Sequence, residues 1–123
     1  GKETFIANID GKIGFMGLRI VNALTPREWE AVRYFRNTYF FDKVPMVDPY
    51  IWTFDHKDHI HFVFYQGTKI VGYAHIQLWP DRRSAIRIIV IDELSRGQGF
   101  GVHFLMLCER WLKQQGYKTL HTQ

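Results

Sequence analysis

Cysteine is almost missing from this chain. Cys108 stands alone among 123 residues, so no intrachain disulfide can form and a reducing cytosol is the expected home. Long apolar runs are missing as well. No stretch reaches the roughly 18 uncharged apolar residues of a transmembrane helix, and no membrane partner is expected. The first residues include Lys2 and Glu3 and lack the apolar centre of a secretion signal. Repeats and low-complexity tracts are absent, and residues 17–123 contain no linker, so that stretch is expected to be one domain. Excess charge of one sign is small. Sixteen Lys+Arg against twelve Asp+Glu leave +4, which suits an anionic small ligand without demanding nucleic acid.

Apolar residues make up 46% and charged residues 23%, which excludes a disordered or collagen-like chain. Aromatic residues are plentiful at 16%. They are spread along the sequence rather than grouped with Lys and Arg. That favours a core filled with rings over a surface on which bases stack.

Local signals divide the chain into elements. In residues 1–16, Phe5, Ile9 and Ile13 recur at helical spacing, yet Asp10-Gly11 is a hairpin signal, and both readings stay open. Leu18–Val21 reads as a short strand. Thr25-Pro26-Arg27-Glu28 is a capping box with Pro at the first helical position, which predicts a helix over 26–39. Residues 40–59, with Pro45 and Pro49, read as an irregular loop with one helical turn. Ile60–Tyr65 and Ile70–Trp79 flank the turn Gln66-Gly67-Thr68-Lys69 and predict a hairpin. Ala85–Ile91 is nearly all apolar and is expected to be covered on both faces. Val102–Gln115 is amphipathic, with Phe104, Leu105, Leu107, Cys108, Trp111 and Leu112 as its apolar stripe. Gly116 is placed to end that helix, and Tyr117–Thr122 reads as a last strand.

The stretch that carries chemistry is Arg96-Gly97-Gln98-Gly99-Phe100-Gly101. It follows an apolar strand and opens a helix. Small residues let backbone amides approach an anion. A helix N-terminus adds unpaired N–H groups and about half a positive charge. Together they make a phosphate site, with Arg96 as a cation at its mouth. The glycine spacing is not that of the dinucleotide fingerprint. No Gly-Lys-Ser/Thr ending follows, so it is not a P-loop.

Arg96-x-x-Gly99-x-Gly101 resembles the (Gln/Arg)-x-x-Gly-x-(Gly/Ala) signature of the GCN5-related N-acetyltransferase (GNAT) superfamily. The apolar strand before it, the helix after it, the hairpin from Phe62 to Ala74 and the capped first helix are similar too. The resemblance spans residues 17–123. It implies an α/β fold of the α+β type: a mostly antiparallel mixed sheet, splayed at residues 86–91, with helices on both faces. It implies acetyl-coenzyme A as cofactor and direct acetyl transfer to a small-molecule or peptide amine. By the resemblance, Ile89, Val90 and Ile91 hold the pantetheine arm, and Arg96, Gly97, Gln98, Gly99, Phe100, Gly101 and Val102 hold the pyrophosphate.

The sequence departs from the family in three ways. One family base is a Glu on the strand before the motif; here that position is Ala85, beside Ser84 and Ile86. The resemblance also implies a further helix and two strands after residues 117–122, the helix often carrying a Tyr that protonates the thiolate. The domain is therefore expected to be C-terminally incomplete, or completed by a second copy in a homodimer that exchanges these elements. Residues 1–16 would fit the end of a preceding domain, as in proteins where a nucleotidyltransferase-like GrpB domain precedes the GNAT domain.

Other residues carry chemistry of their own. Alternation puts Tyr73, His75, Gln77 and Trp79 on one strand face. His75 is the candidate general base, because imidazole titrates near neutral pH. Tyr73, Gln77 and Trp79 are the candidate substrate contacts. The plainer reading of His75 is a histidine bonded into a half-buried sheet. His56, His59 and His61 with Asp55 and Asp58 lack ligand spacing for a metal, and a solvated loop entering a strand is expected. Arg87, alone on an apolar strand, needs a partner or an exposed face. Trp79 and Trp52 are candidate walls of the acceptor cleft, with core or loop packing as the plainer reading. Cys108 reads as core, and Asp92 with Glu93 as a solvated turn. Two other functions stay in view: a non-catalytic coenzyme A-binding domain, and a small basic RNA-binding domain.

Overall fold

The computed structural model describes residues 17–41 and 48–120. The expectations for residues 1–16 lie outside these. Among the described residues no helix is long and apolar enough to cross a membrane.

The described elements are β1 (Leu18–Asn22), α1 (Pro26–Arg36), β2 (His59–Gln66), β3 (Lys69–Leu78), β4 (Arg83–Ile91), α2 (Phe100–Gln114) and β5 (Lys118–Leu120). A π turn, Asn37–Phe41, prolongs α1, and one 3-10 turn, Ile51–Asp55, interrupts the loop before β2. The strands form one sheet in chain order. β1 to β4 are antiparallel neighbours, and β5 lies parallel to β4.

Local sequence accounts for most of these boundaries. Thr25 Oγ1 accepts the Glu28 amide at 3.1 Å, and Glu28 Oε1 accepts the Thr25 amide at 3.1 Å. The capping box is thus closed both ways, with Pro26 at the start. Glu28 is also tied to the sheet, because Tyr65 donates to its Oε2 at 2.7 Å.

Alternation then divides the core. Phe62 and Phe64 of β2 face α2, where Phe64 stacks on Phe104 with centroids 4.5 Å apart. Val63 and Tyr65 face α1 and pack with Val32 and Phe35. Helices therefore cover both faces of the sheet. Cys108 is fully enclosed on the α2 side, and burial pushes its thiol well up.

β4 is not covered on both faces as its apolar sequence suggests. β5 pairs only with Arg83–Ala85. Beyond that point β4 has no neighbour on this side among the described residues, and Ile89 is 37% exposed. The sheet is splayed there. A second irregularity lies on the β3 side. His75 pairs with Ile88 and Ile76 with Ile86, so Arg87 is an extra residue in a β-bulge.

Candidate functional site

Two cavities are lined by residues of β4. The first is a groove of about 370 Å³ between the open edge of β4 and the start of α2. Ile89, Val90, Ile91, Arg96, Gly97, Gly99, Phe100 and Gly101 line it. Of the residues expected to hold the cofactor, the side chains of Gln98 and Val102 are not part of this lining. Gln98 folds back, its amide donating to Ser95 O at 3.3 Å. Val102 is 65% exposed on the helix.

The groove has the chemistry of an anion site. Gly99 caps α2 at φ 79°, a left-handed conformation that favours glycine, and it brings no side chain to the helix end. The first bond inside α2 runs from His103 N to Gly99 O, so the amides of Phe100, Gly101 and Val102 precede the ladder. A Cβ built on Gly101 would meet only Ile91 Cγ1, at 4.0 Å. Phe100 itself turns its ring into the core and can offer only backbone here. Arg96 is held at the mouth, its Nε donating to Ile91 O at 2.8 Å and its guanidinium 5.1 Å from the Tyr39 ring.

The β4 backbone adds a directed donor. Asp92 N donates to Val71 O at 2.8 Å, so the groups facing β3 alternate back through Val90. Ile89 and Ile91 then turn their N–H and C=O toward the open side. The residues present fit a coenzyme with a pyrophosphate and an extended amide arm.

The second cavity, a cleft of about 440 Å³, lies on the α1 side of the sheet. It is lined by Arg36, Tyr50, Trp52, His59, His75, Gln77, Arg87 and Ile88. The bulge explains why Arg87 and Ile88, neighbours in sequence, reach the same cavity. Ile88 borders the cleft and Ile89 the groove, so adjacent residues of one strand serve the two spaces.

Arg36 organises the cleft from below. It is fully buried and grips Asp48 through Nε and through Nη2 at 3.2 Å. Burial opposes its charge, but Asp48 and Tyr73 more than offset that, and its pKa is raised. Nη1 donates to Tyr73 Oη at 2.8 Å and faces His75 Nδ1 at 3.3 Å. A guanidinium only donates, and that fixes every proton further along. His75 Nδ1 must accept, so its Nε2 carries the hydrogen and donates to His59 Nδ1 at 2.9 Å. His59 then keeps its own hydrogen on Nε2. On the other branch, Tyr73 passes its hydroxyl hydrogen to His61 Nδ1 at 2.7 Å, and His61 Nε2 donates to Thr53 Oγ1 at 3.0 Å. Thr53 ends the chain by donating to Tyr50 O at 2.7 Å.

Burial and the nearby positive groups keep these imidazoles neutral. Burial pushes His75 down to about 2, with His61 and Arg36 adding to the shift. His61 falls to about 4 for the same reasons.

The substrate contacts expected from alternation divide. Gln77 lines the cleft. Tyr73 shares its strand face but is 0% exposed, because α1 covers it and its hydroxyl is bonded twice. Trp79 lies past the end of β3 and packs against the Arg83 guanidinium at 5.2 Å. Neither reaches the cleft. His61 lies on β2, within the strand expected from Ile60 onward, and is 1% exposed within the network. Asp92 accepts from Tyr34 at 3.3 Å and Tyr39 at 3.1 Å, tying the π turn to the end of β4. Arg36, Tyr50, His59 and Arg87 were not singled out for the cleft by sequence. The spacing of His59 and His61, two residues apart on a strand, was the one available hint.

A sequence profile of the Acetyltransferase (GNAT) family matches residues 24–123. The chain belongs to the GNAT acetyltransferase family. Solved structures with this fold are distant in sequence. An aminoglycoside acetyltransferase from an uncultured soil metagenomic sample, in complex with sisomicin, is 16% identical, with a TM-score of 0.67 over 87% of this chain and 78% of that one. A GNAT family acetyltransferase from Staphylococcus aureus is 15% identical, with a TM-score of 0.64 over 86% and 85%. The ribosomal-protein-S18-alanine N-acetyltransferase from Escherichia coli is 18% identical, with a TM-score of 0.63 over 80% and 61%. No curated protein matches the chain.

Proposed function

We propose that this GNAT domain transfers the acetyl group of acetyl-coenzyme A to an amine. The observation that carries the reading is that groove and cleft are lined by consecutive stretches of one strand, Ile89–Ile91 and Arg87–Ile88. Bound acetyl-coenzyme A supplies the activated acetyl thioester. The amides of Phe100, Gly101 and Val102, with Arg96, would hold its pyrophosphate. The Ile89 N–H, turned to the open side, is placed to bind the carbonyl oxygen as negative charge grows on it. The cleft receives the acceptor. Among its described lining residues none is a carboxylate, and His75 holds its proton-accepting nitrogen against Arg36. The acceptor is therefore expected to arrive already as the free amine, having lost its proton to water.

Calorimetric titration with acetyl-coenzyme A tests the cofactor, and thiol release in the presence of amines tests the transfer. Gly101→Glu is the informative variant. Space exists for its side chain, and an acidic residue in the first turn of a helix is favourable. It should fold at least as well as the parent yet lose the cofactor through repulsion in the groove. Equal affinity in parent and variant would refute the assignment. Binding without thiol release from any amine would favour a non-catalytic coenzyme A domain.

A further inference from the structure

We infer that the acceptor is an amine that also carries a carboxylate, and that Arg87 and His59 hold this carboxylate in the cleft. The inference rests on the transfer reaction proposed above and narrows its substrate class.

The argument begins with charge. Arg36 is neutralised by Asp48, burial pushes His75 down to about 2, and burial together with His56 lowers His59 below its ordinary value. Arg87 is left as the one cation at the cleft that no carboxylate among the described residues pairs. Its Nε donates to Gln77 Oε1 at 2.9 Å. Gln77 thus orients the guanidinium without cancelling its charge, and the terminal nitrogens stay available. A planar fork of this kind matches a carboxylate. A single positive charge also matches a single negative one. A polyamine or an aminoglycoside would meet the Arg87 charge with no carboxylate opposite it among the described lining residues.

The proton order supplies the second donor. Arg36 fixes His75, and His75 fixes His59, so that His59 keeps a hydrogen on Nε2. His59 therefore offers an N–H rather than a lone pair. Trp52, edge-on to the His59 ring at 5.1 Å, walls this corner of the cleft. The bulge that turns Arg87 into the cleft lies two residues before Ile89 on β4, roughly 7 Å along a strand. One small molecule can span that distance, with its carboxylate at Arg87 and its amine near the groove.

Ring resonances of His59 and the Arg87 Nε–H signal report on this corner directly. Glycine, β-alanine and 4-aminobutyrate, each paired with its own amide, are suitable probes. At least one of the three acids should give saturable shifts of both signals, with its amide binding roughly ten- to hundredfold more weakly, the scale of a charge-assisted pair. Arg87→Gln should bring the acid down to the level of the amide, and Arg87→Lys should recover part of the difference. Arg87 is exposed, so neither substitution threatens the fold. Acids and amides that bind alike, or an Arg87→Gln variant that binds the acids like the parent, would overturn the inference. Absence of any shift would do the same. Failure of acetyl-coenzyme A to bind in the groove would instead remove the transfer reading, and the two failures are measured separately.

Discussion

Arg36 Nη1 lies 3.3 Å from His75 Nδ1, and the arginine has only hydrogens to offer there. His75 is consequently an acceptor toward Arg36 and a donor toward His59. Its lone pair is turned to Arg36 and its N–H to His59. The network is anchored by a buried ion pair whose guanidinium only donates, and one of its two branches ends in a backbone carbonyl, so each ring is held in one tautomer.

This order has a kinetic consequence. If the acceptor must arrive as free amine, turnover rises with pH until the pKa of that amine is reached. No separate limb should appear near 6.5, where an unperturbed histidine titrates. His75→Asn should raise KM by releasing His59, and leave the shape of the pH profile unchanged. Steady-state rates from pH 5.5 to 9 check this. Loss of an ionisation near neutral pH in the variant would return His75 to the role of base.

Gly72 is a second pressure point. A Cβ there would stand 3.0 Å from Val90 O, 3.1 Å from Ile91 Cδ1 and 3.2 Å from Phe104 Cε2. The nearest atom is backbone, so β3 and β4 must part by a few tenths of an ångström. Gly72→Ala should cost about 1–3 kcal/mol of stability. It should also weaken acetyl-coenzyme A binding, because the strand displaced is the one that lines the groove. Denaturant unfolding and calorimetry on the same sample give both numbers.

The N-terminus of α1 separates a cap from a tie. Thr25→Ala removes one hydrogen bond to the Glu28 amide and should cost about 1 kcal/mol. Glu28→Ala removes the acceptor of two amides and of the Tyr65 hydroxyl together. Burial alone would raise the Glu28 carboxyl, but the Tyr65 and backbone bonds outweigh it and hold the carboxyl below its ordinary value. The Glu28 variant should therefore be clearly the less stable of the two at neutral pH. Thermal unfolding of both variants ranks them.

These positions show what the sequence could and could not disclose. The cofactor groove was legible because it rests on local signals: glycine spacing, an apolar strand and a helix start. The capping box placed α1 for the same reason. The cleft rests on register, which no local pattern records. Alternation put Tyr73 on the correct face but could not say that α1 lies over it. Alternation also sends Arg87 to the face opposite Ile88, and only the bulge at His75 and Ile76 turns it back. Arg36 looked like an ordinary basic residue in a last helical turn. Its role depends on Asp48, twelve residues away, folding beneath the sheet.

The buried histidines also set how the protein meets acid. In the unfolded chain His61 and His75 titrate near 6.5; in the folded protein burial lowers them to about 4 and about 2. Below pH 6.5 the unfolded state therefore binds protons that the folded state refuses. Stability is intact above that pH and falls as pH drops, with both histidines contributing down to about pH 4 and His75 alone below it. Each contributes a slope of up to about 1.4 kcal/mol per pH unit. Glu28, whose carboxyl is held low, acts in the same direction at the acid end. Unfolding free energy measured by urea at half-unit steps from pH 7.5 to 4 should show this loss. His61→Gln should reduce the slope between pH 6 and 4.5, since one proton sink is gone while His75 and His59, which burial also lowers, remain. A slope identical to that of the parent would mean that His61 is protonated in the folded protein, contrary to the single-tautomer network that Arg36 imposes.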